Sequence, residues 1–200
     1  MDPIELATLV AFHQSHNQKA STAEQAGWTS NEAQLLRFSV LEQLGDWNGK
    51  SILDMGCGFG DFLKYITPRW EPSQYLGVDI LPSFISQATE NFAGDPQFRF
   101  VCGDYTQMDL PKAEFVVACG ALSYPTSTAG HPYTAISRLW GLCTQGLAFN
   151  LLKASNSQPS DRYLLTFHSE EVLAYCKTLS PKVKLHDGYS EGDFTVFLYR

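Results

Sequence analysis

The chain has 200 residues, 44% of them hydrophobic and 18% charged, which suits one globular domain with a proper core and excludes a disordered polypeptide. Its formal net charge is −7 and no Lys/Arg cluster appears, so a long nucleic-acid footprint or an anionic membrane surface is an unsuitable partner and a small molecule is favoured. The five cysteines (Cys57, Cys102, Cys119, Cys143, Cys176) are odd in number and lack C-x-x-C spacing, Met1 to His16 has no basic start, and no apolar run approaches ~20 residues; free thiols in a soluble, cytoplasmic protein are expected.

Pro3 to Gln14 places Ile4, Leu9, Val10 and Phe12 at roughly helical spacing, and His13, Gln14, His16, Asn17 and Gln18 then lead through a polar stretch to Gly27-Trp28. A short helix followed by a loop is expected, serving either as a solvated arm or as a lid over a ligand. Thr29-Ser30-Asn31-Glu32 has the form of a capping box with Thr29 as the cap. The helix it opens should run to about Asp46, with Ala33, Leu36, Val40, Leu41 and Leu44 on the inward face and Gln34 next to Arg37 one turn on.

Asn48-Gly49 signals a turn, and regular alternation starts there. Strands are expected at 51–55, 75–79, 98–102, 114–119 and 146–152. Helices are expected at about 60–67, stopped by Pro68, at 82–93 with Pro82 in its first turn, and within 132–143. A Ser-rich loop from Lys153 to Asp161 precedes a helix at 170–179 capped by Ser169, and two strands joined by a Gly-bearing turn, 182–186 and 194–199, close the pattern. Alternation of this kind defines an α/β fold with a parallel sheet and helices on both faces. Residues 1–48 form an N-terminal helical cap and 49–200 the core, as parts of one domain.

The most informative stretch is Ile52-Leu53-Asp54-Met55-Gly56-Cys57-Gly58-Phe59-Gly60-Asp61, a buried strand running into a glycine-rich turn and a helix. Its three glycines permit a tight turn, and its backbone N–H groups are expected to stay open to a closely approaching ligand. A dinucleotide fingerprint is spaced G-x-G-x-x-G with an uncharged loop. Here the spacing is Gly56-x-Gly58-x-Gly60 with carboxylates at Asp54 and Asp61, which would repel a pyrophosphate and attract an ammonium or sulfonium. No Gly-Lys-Ser/Thr follows, which excludes a P-loop.

The loop resembles the first motif of class I S-adenosylmethionine-dependent methyltransferases, D/E-x-G-x-G-x-G, at every fixed position: Asp54, Gly56, Gly58 and Gly60. The resemblance continues in Tyr75-Leu76-Gly77-Val78-Asp79-Ile80, where it implies Asp79 as the ribose ligand, with Ile80 beside it. In Phe98 to Tyr105 it implies Gly103-Asp104 facing the adenine amino group and Tyr105 beside the ring. The strand ending at Cys119 should face the methyl donor. Trp28-x5-Gln34-x2-Arg37-Phe38 resembles a helix that precedes the core in a subgroup of small bacterial methyltransferases, which implies Arg37 as a clamp for the donor's carboxylate and Trp28 packed near it. The donor-site set implied is thus Asp54, Gly56, Cys57, Gly58, Gly60, Asp79, Ile80, Gly103, Asp104, Tyr105, Cys119, Arg37 and Trp28. The resemblance also implies a Rossmann-like, seven-stranded, mostly parallel sheet with an antiparallel last strand.

Methyl transfer from a sulfonium mainly requires alignment and exclusion of water, because the leaving group is already good. An amine or hydroxyl acceptor still benefits from a base. Tyr124 and His131, after the fourth strand, are the catalytic candidates; His168, His13 and His16 are further ones. Asn150, polar in an apolar strand, either lines the acceptor pocket or serves neighbouring backbone. Cys119-Gly120-Ala121-Leu122-Ser123-Tyr124-Pro125 lacks the Asn/Asp-Pro-Pro-aromatic run of enzymes that methylate base or glutamine amines, and no ligand spacing suggests a metal. The expected activity is methyl transfer from S-adenosylmethionine, leaving S-adenosylhomocysteine, to a small-molecule acceptor by a monomer or homodimer. The alternatives are an aminopropyl transferase or NAD oxidoreductase on the same fold, a tRNA or protein acceptor, and a non-enzymatic donor-binding protein.

Overall fold

The computed structural model describes residues 2–14, 21–127, 129–154 and 164–200. Seven strands form one sheet in the order β3-β2-β1-β4-β5-β7-β6. They are β1 (Ser51–Met55), β2 (Gln74–Asp79), β3 (Phe98–Cys102), β4 (Ala113–Ala118), β5 (Cys143–Leu152), β6 (Lys182–Asp187) and β7 (Asp193–Tyr199). The first five run parallel, and β7 lies antiparallel to both β5 and β6. Central strands covered on both faces are predominantly apolar, and Phe115 to Ala118 and Gly146 to Leu151 are buried without interruption, with Asn150 the polar member of the second run.

The side-chain alternation of these strands divides the interior in two. Leu53, Val116, Leu147 and Val196 pack with Ile136 and Leu139 of α6 (Tyr133–Leu142) and Val172 of α7 (Ser169–Leu179). On the other face Ile52, Val117, Ala148 and Phe197 meet Leu41 of α3 (Asn31–Leu41), Trp47, and Phe62 and Ile66 of α4 (Asp61–Ile66). Helix α5 (Pro82–Asn91) completes the crossover between β2 and β3, and α1 (Pro3–Gln14) and α2 (Thr22–Gln25) precede the core. From β1 the sheet grows one way through β2 and β3 and the other way through β4 and β5. A crevice opens at the carboxyl ends of strands where the direction of winding reverses, so β1 and β4 locate a ligand site before any side chain is considered.

Several local expectations are corrected. Ser30, not Thr29, caps α3, its Oγ accepting from the Ala33 N–H at 3.2 Å. The helix gives way at Glu42–Leu44 to a 3₁₀ turn instead of running to Asp46. Leu36 is 40% exposed and Gln34 is buried in its stead. The inward stripe therefore runs through Gln34, Phe38 and Leu41, because Phe38 stacks edge-on against Phe62 with ring centroids 5.4 Å apart. Ser169 is the first helical residue of α7, not its cap, and its hydroxyl donates to Asp187 at 3.3 Å. Strand β5 begins at Cys143, three positions before the expected Gly146, and α2 was not anticipated. Beyond Ala154 the Ser-rich loop lies outside the described residues, as does His16. Among the described residues no helix is long and apolar enough to cross a membrane.

Candidate active site

The glycine turn takes the backbone into the left-handed region three times, at Gly56 (φ 74°), Gly58 (55°) and Gly60 (79°). A Cβ at Gly56 would stand 2.5 Å from that of Ala121, so the loop after β4 can close on this turn only over a glycine. A Cβ at Gly58 would meet nothing within 4 Å, since that position faces the cavity. Four of the loop's N–H groups are not open, contrary to expectation. Those of Gly56 and Cys57 donate to the Val78 carbonyl at 2.8 and 3.1 Å, that of Gly60 to Cys57 at 3.0 Å, and that of Gly58 to the Asp79 carboxylate at 2.9 Å. A pyrophosphate would find those donors already committed.

What this end of the cavity presents is negative charge. Asp54, Asp61, Asp79 and Asp104 all line it. Asp54 is 1% exposed; the Tyr75 hydroxyl donates to its Oδ2, and its buried Oδ1 has no partner. Burial pushes this carboxyl up to about 7, against the Tyr75 hydrogen bond and assisted by the nearby Asp79 charge. Asp79 is also raised by burial, opposed by N–H donation from Leu81 and Gly58. Burial raises Asp61 as well, while Gln34 donates to its Oδ2 at 3.3 Å. A buried carboxylate oxygen lacking a partner in a cavity that collects carboxylates fits a ligand bearing ammonium or sulfonium charge. Among the described residues no cluster of side chains could hold a metal ion.

Gly103, Ile80 and Tyr105 also line the cavity, Tyr105 donating from its hydroxyl to the Ala121 carbonyl at 3.3 Å. Opposite them stand Cys119, Gly120 and Trp28. A Cβ at Gly120 would be 2.8 Å from the Trp28 ring, so indole and backbone are in close contact. Arg37 lies outside the lining, as does Gly60. The Arg37 guanidinium is 4.9 Å from the Trp28 ring centroid and forms an ion pair with the wholly buried Asp193. Asp193 in turn accepts from Asn150 Nδ2 at 3.2 Å, and Asn150 Oδ1 accepts from the Gly120 N–H at 2.7 Å. Asn150 thus serves neighbouring backbone and holds the cavity wall without lining it. Sequence reasoning missed Asp193, which falls just before the expected strand 194–199 but is the first residue of β7 and fully buried.

The far end of the cavity is formed by α1, the segment after β4 and the start of α6. Tyr124 and His131 line it together with His13, while His168 stands outside as the residue preceding α7. Tyr124 Oη and His13 Nε2 are 3.2 Å apart, and His13 Nδ1 is 3.3 Å from the Gln25 carbonyl. His131 Nε2 lies 2.8 Å from the Leu122 carbonyl, and burial lowers its imidazolium below the usual range against that hydrogen bond. Glu5 of α1 accepts from the Ser127 N–H and, at 3.4 Å, from the Thr126 hydroxyl, tying the helix across this end. Arg138, also missed, lines the cavity while donating to the Tyr105 carbonyl at 2.8 Å and to that of Met108.

Residues 52–142, which include the glycine turn, Asp79 and the Gly103-Asp104 pair, match a family described as a methyltransferase domain. With the sheet order and the glycine turn, that match supports an S-adenosylmethionine-dependent methyltransferase of the class I fold. It is similar to a protein of Mycobacterium tuberculosis that carries a methyltransferase name, at 28% identity over 155 residues, 74% of this chain and 92% of that protein. A shorter stretch resembles malonyl-[acyl-carrier protein] O-methyltransferase of Acetivibrio thermocellus, at 33% identity over 75 residues, 36% of this chain and 26% of that one. In fold it is similar to magnesium protoporphyrin IX methyltransferase from Synechocystis with bound S-adenosylhomocysteine, with a TM-score of 0.65, 15% identity, and coverage of 99% of this chain and 95% of that chain.

Proposed function

We propose that this methyltransferase acts on a small-molecule acceptor, with the donor held over the glycine turn and the acceptor between Tyr124 and His131. The observation that carries the donor site is the glycine turn itself, four of whose N–H groups are committed internally while four carboxylates line the cavity. Asp79 takes the ribose hydroxyls, Asp104 and Tyr105 the adenine, and the free Oδ1 of Asp54 the cationic end. S-Adenosylmethionine, once bound, supplies a methyl group activated on sulfonium. The chain's own contribution is to align the acceptor and to keep water out, and alignment alone can supply ~7–11 kcal/mol of barrier reduction. Tyr124 orients the acceptor atom, and His131, held neutral by burial, receives its proton. Arg37, paired with Asp193, steadies the Trp28 wall without touching the donor.

A small acceptor is supported by the way α1 is tied across the far end and by the net charge of −7. Magnesium protoporphyrin IX, named as the substrate of one structural neighbour, is of that size class. Calorimetric titration tests the donor assignment: S-adenosylmethionine and S-adenosylhomocysteine are expected to bind in the micromolar range and NAD not at all. NAD binding in place of both adenosyl ligands would overturn it.

Donor binding should also depend on pH. Asp54 is raised to about 7, so below that pH its carboxyl is mostly protonated and must lose a proton before it can attract a cation. Affinity for S-adenosylmethionine is expected to climb between about pH 5.5 and 7.5, by at most about tenfold per unit, with proton release detectable in buffers of different ionisation enthalpy. Asp54→Asn should flatten the profile; an unchanged slope in that variant would assign the titration elsewhere.

A further inference from the structure

We infer that the acceptor end of the cavity receives a molecule that donates N–H or O–H and carries no negative charge, an amine or a neutral hydroxyl, and turns away free carboxylates and phosphates. This rests on the methyltransferase reading of the same site. The argument starts from the two imidazoles. A ring nitrogen 2.8 Å from a carbonyl oxygen must be an N–H donor, so Nε2 of His131 carries the proton toward Leu122. In the neutral ring that leaves Nδ1 as a lone pair, which makes no hydrogen bond among the described residues. Nδ1 of His13, 3.3 Å from the Gln25 carbonyl, is likewise the protonated nitrogen, which makes Nε2 an acceptor. The only proton that can then lie between Nε2 and Tyr124 Oη is the phenol's own. Tyr124 therefore donates to His13 and turns its oxygen lone pairs to the remaining space.

Tyr124 and His131 thus both present lone pairs, and a ligand that pairs with them must bring protons. The charge inventory points the same way. Among the described lining residues the one cationic side chain is Arg138, and its guanidinium is already used by the carbonyls of Tyr105 and Met108. Against it stand the four aspartates at the donor end. A carboxylate or phosphate entering here would meet lone pairs, a negative field and no unengaged cation, whereas an amine or hydroxyl would satisfy both Tyr124 and His131. The burial that lowers the His131 imidazolium keeps Nδ1 unprotonated at neutral pH and so preserves this preference. Phe84, also in the lining and in ring contact with His13, gives the acceptor an apolar, aromatic wall.

Four probes sharing one ring test the inference: aniline, phenol, benzoate and phenyl phosphate, titrated into the protein saturated with S-adenosylhomocysteine while the imidazole ¹⁵N resonances are followed by NMR. Aniline and phenol are expected to bind at least tenfold more tightly than the two anions and to move the Nδ1 resonance of His131, and His131→Ala should reduce the discrimination by weakening the neutral probes. Either anion binding as tightly as the neutral probes, or neutral probes that leave Nδ1 unmoved, overturns the inference. The saturation step separates it from its parent reading. Failure of S-adenosylhomocysteine to bind removes both, whereas normal saturation followed by a preference for benzoate removes only the acceptor assignment.

Discussion

Replacing Asp193 with alanine is expected to lower unfolding stability by about 3–5 kcal/mol, the usual consequence of deleting one partner of a buried ion pair. The carboxylate is completely buried and receives Arg37, Asn150 and, at 3.2 Å, the Ser190 hydroxyl. Without it the Arg37 guanidinium, only 12% exposed and already lacking a partner at Nε, would be left as an uncompensated charge. Urea denaturation measures the loss. The double variant Arg37→Met, Asp193→Leu removes the charge along with its partner and should recover most of the stability. A single variant within about 0.5 kcal/mol of wild type would mean that the pair is not buried in solution.

Asp79→Ala should weaken S-adenosylmethionine binding by about 100-fold, the loss of roughly two hydrogen bonds to a charged group at ~1.5 kcal/mol each. Some of the effect will come through the protein itself. Asp79 Oδ2 fixes the Gly58 N–H at 2.9 Å and Oδ1 fixes that of Leu81 at 3.0 Å, so the carboxylate shapes the turn it serves. Asp79→Asn, which keeps one oxygen for the backbone, should hold the fold while still losing affinity. Calorimetry paired with thermal unfolding separates the two contributions. Affinity unchanged in both variants would place the ribose elsewhere.

The legible features were those with short-range causes. The glycine turn could be read because three left-handed residues in five positions admit little but glycine, and β1, β2 and β4 because doubly covered strands are predominantly apolar. Charge in the loop correctly pointed away from pyrophosphate, but the reason was incomplete. Only the structure reveals that Val78, Cys57 and Asp79 absorb four of the N–H groups, since those hydrogen bonds depend on how β1 and β2 pair.

Arg37 was legible as an oddity and not as a partner. Its ion pair spans 156 residues, and periodicity within a helix carries no information over that distance. Leu36 shows the same limit at closer range, because helical spacing defines a stripe without saying which edge of it a neighbour such as Phe62 will cover. The pairing of His13 with Tyr124, 111 residues apart, belongs with these. Their position after the fourth strand made Tyr124 and His131 candidates, and only the tertiary structure adds His13 beside the Tyr124 hydroxyl and the Leu122 carbonyl beside His131.

The chain of contacts from Arg37 through Asp193 and Asn150 to Gly120 bears on the order in which the molecule assembles. Strand β7 is the final described element in sequence, yet it lies between β5 and β6, and its first residue completes the wall of the donor cavity. Contacts between residues so far apart in sequence form late, after the cost of closing the intervening loops has been met. A folding intermediate with β1 to β5 in place would already contain the whole glycine turn and still lack the anchor for Gly120. The wall at Gly120 is therefore anchored only once β7 pairs with β5, which brings Asp193 to Asn150 and Arg37.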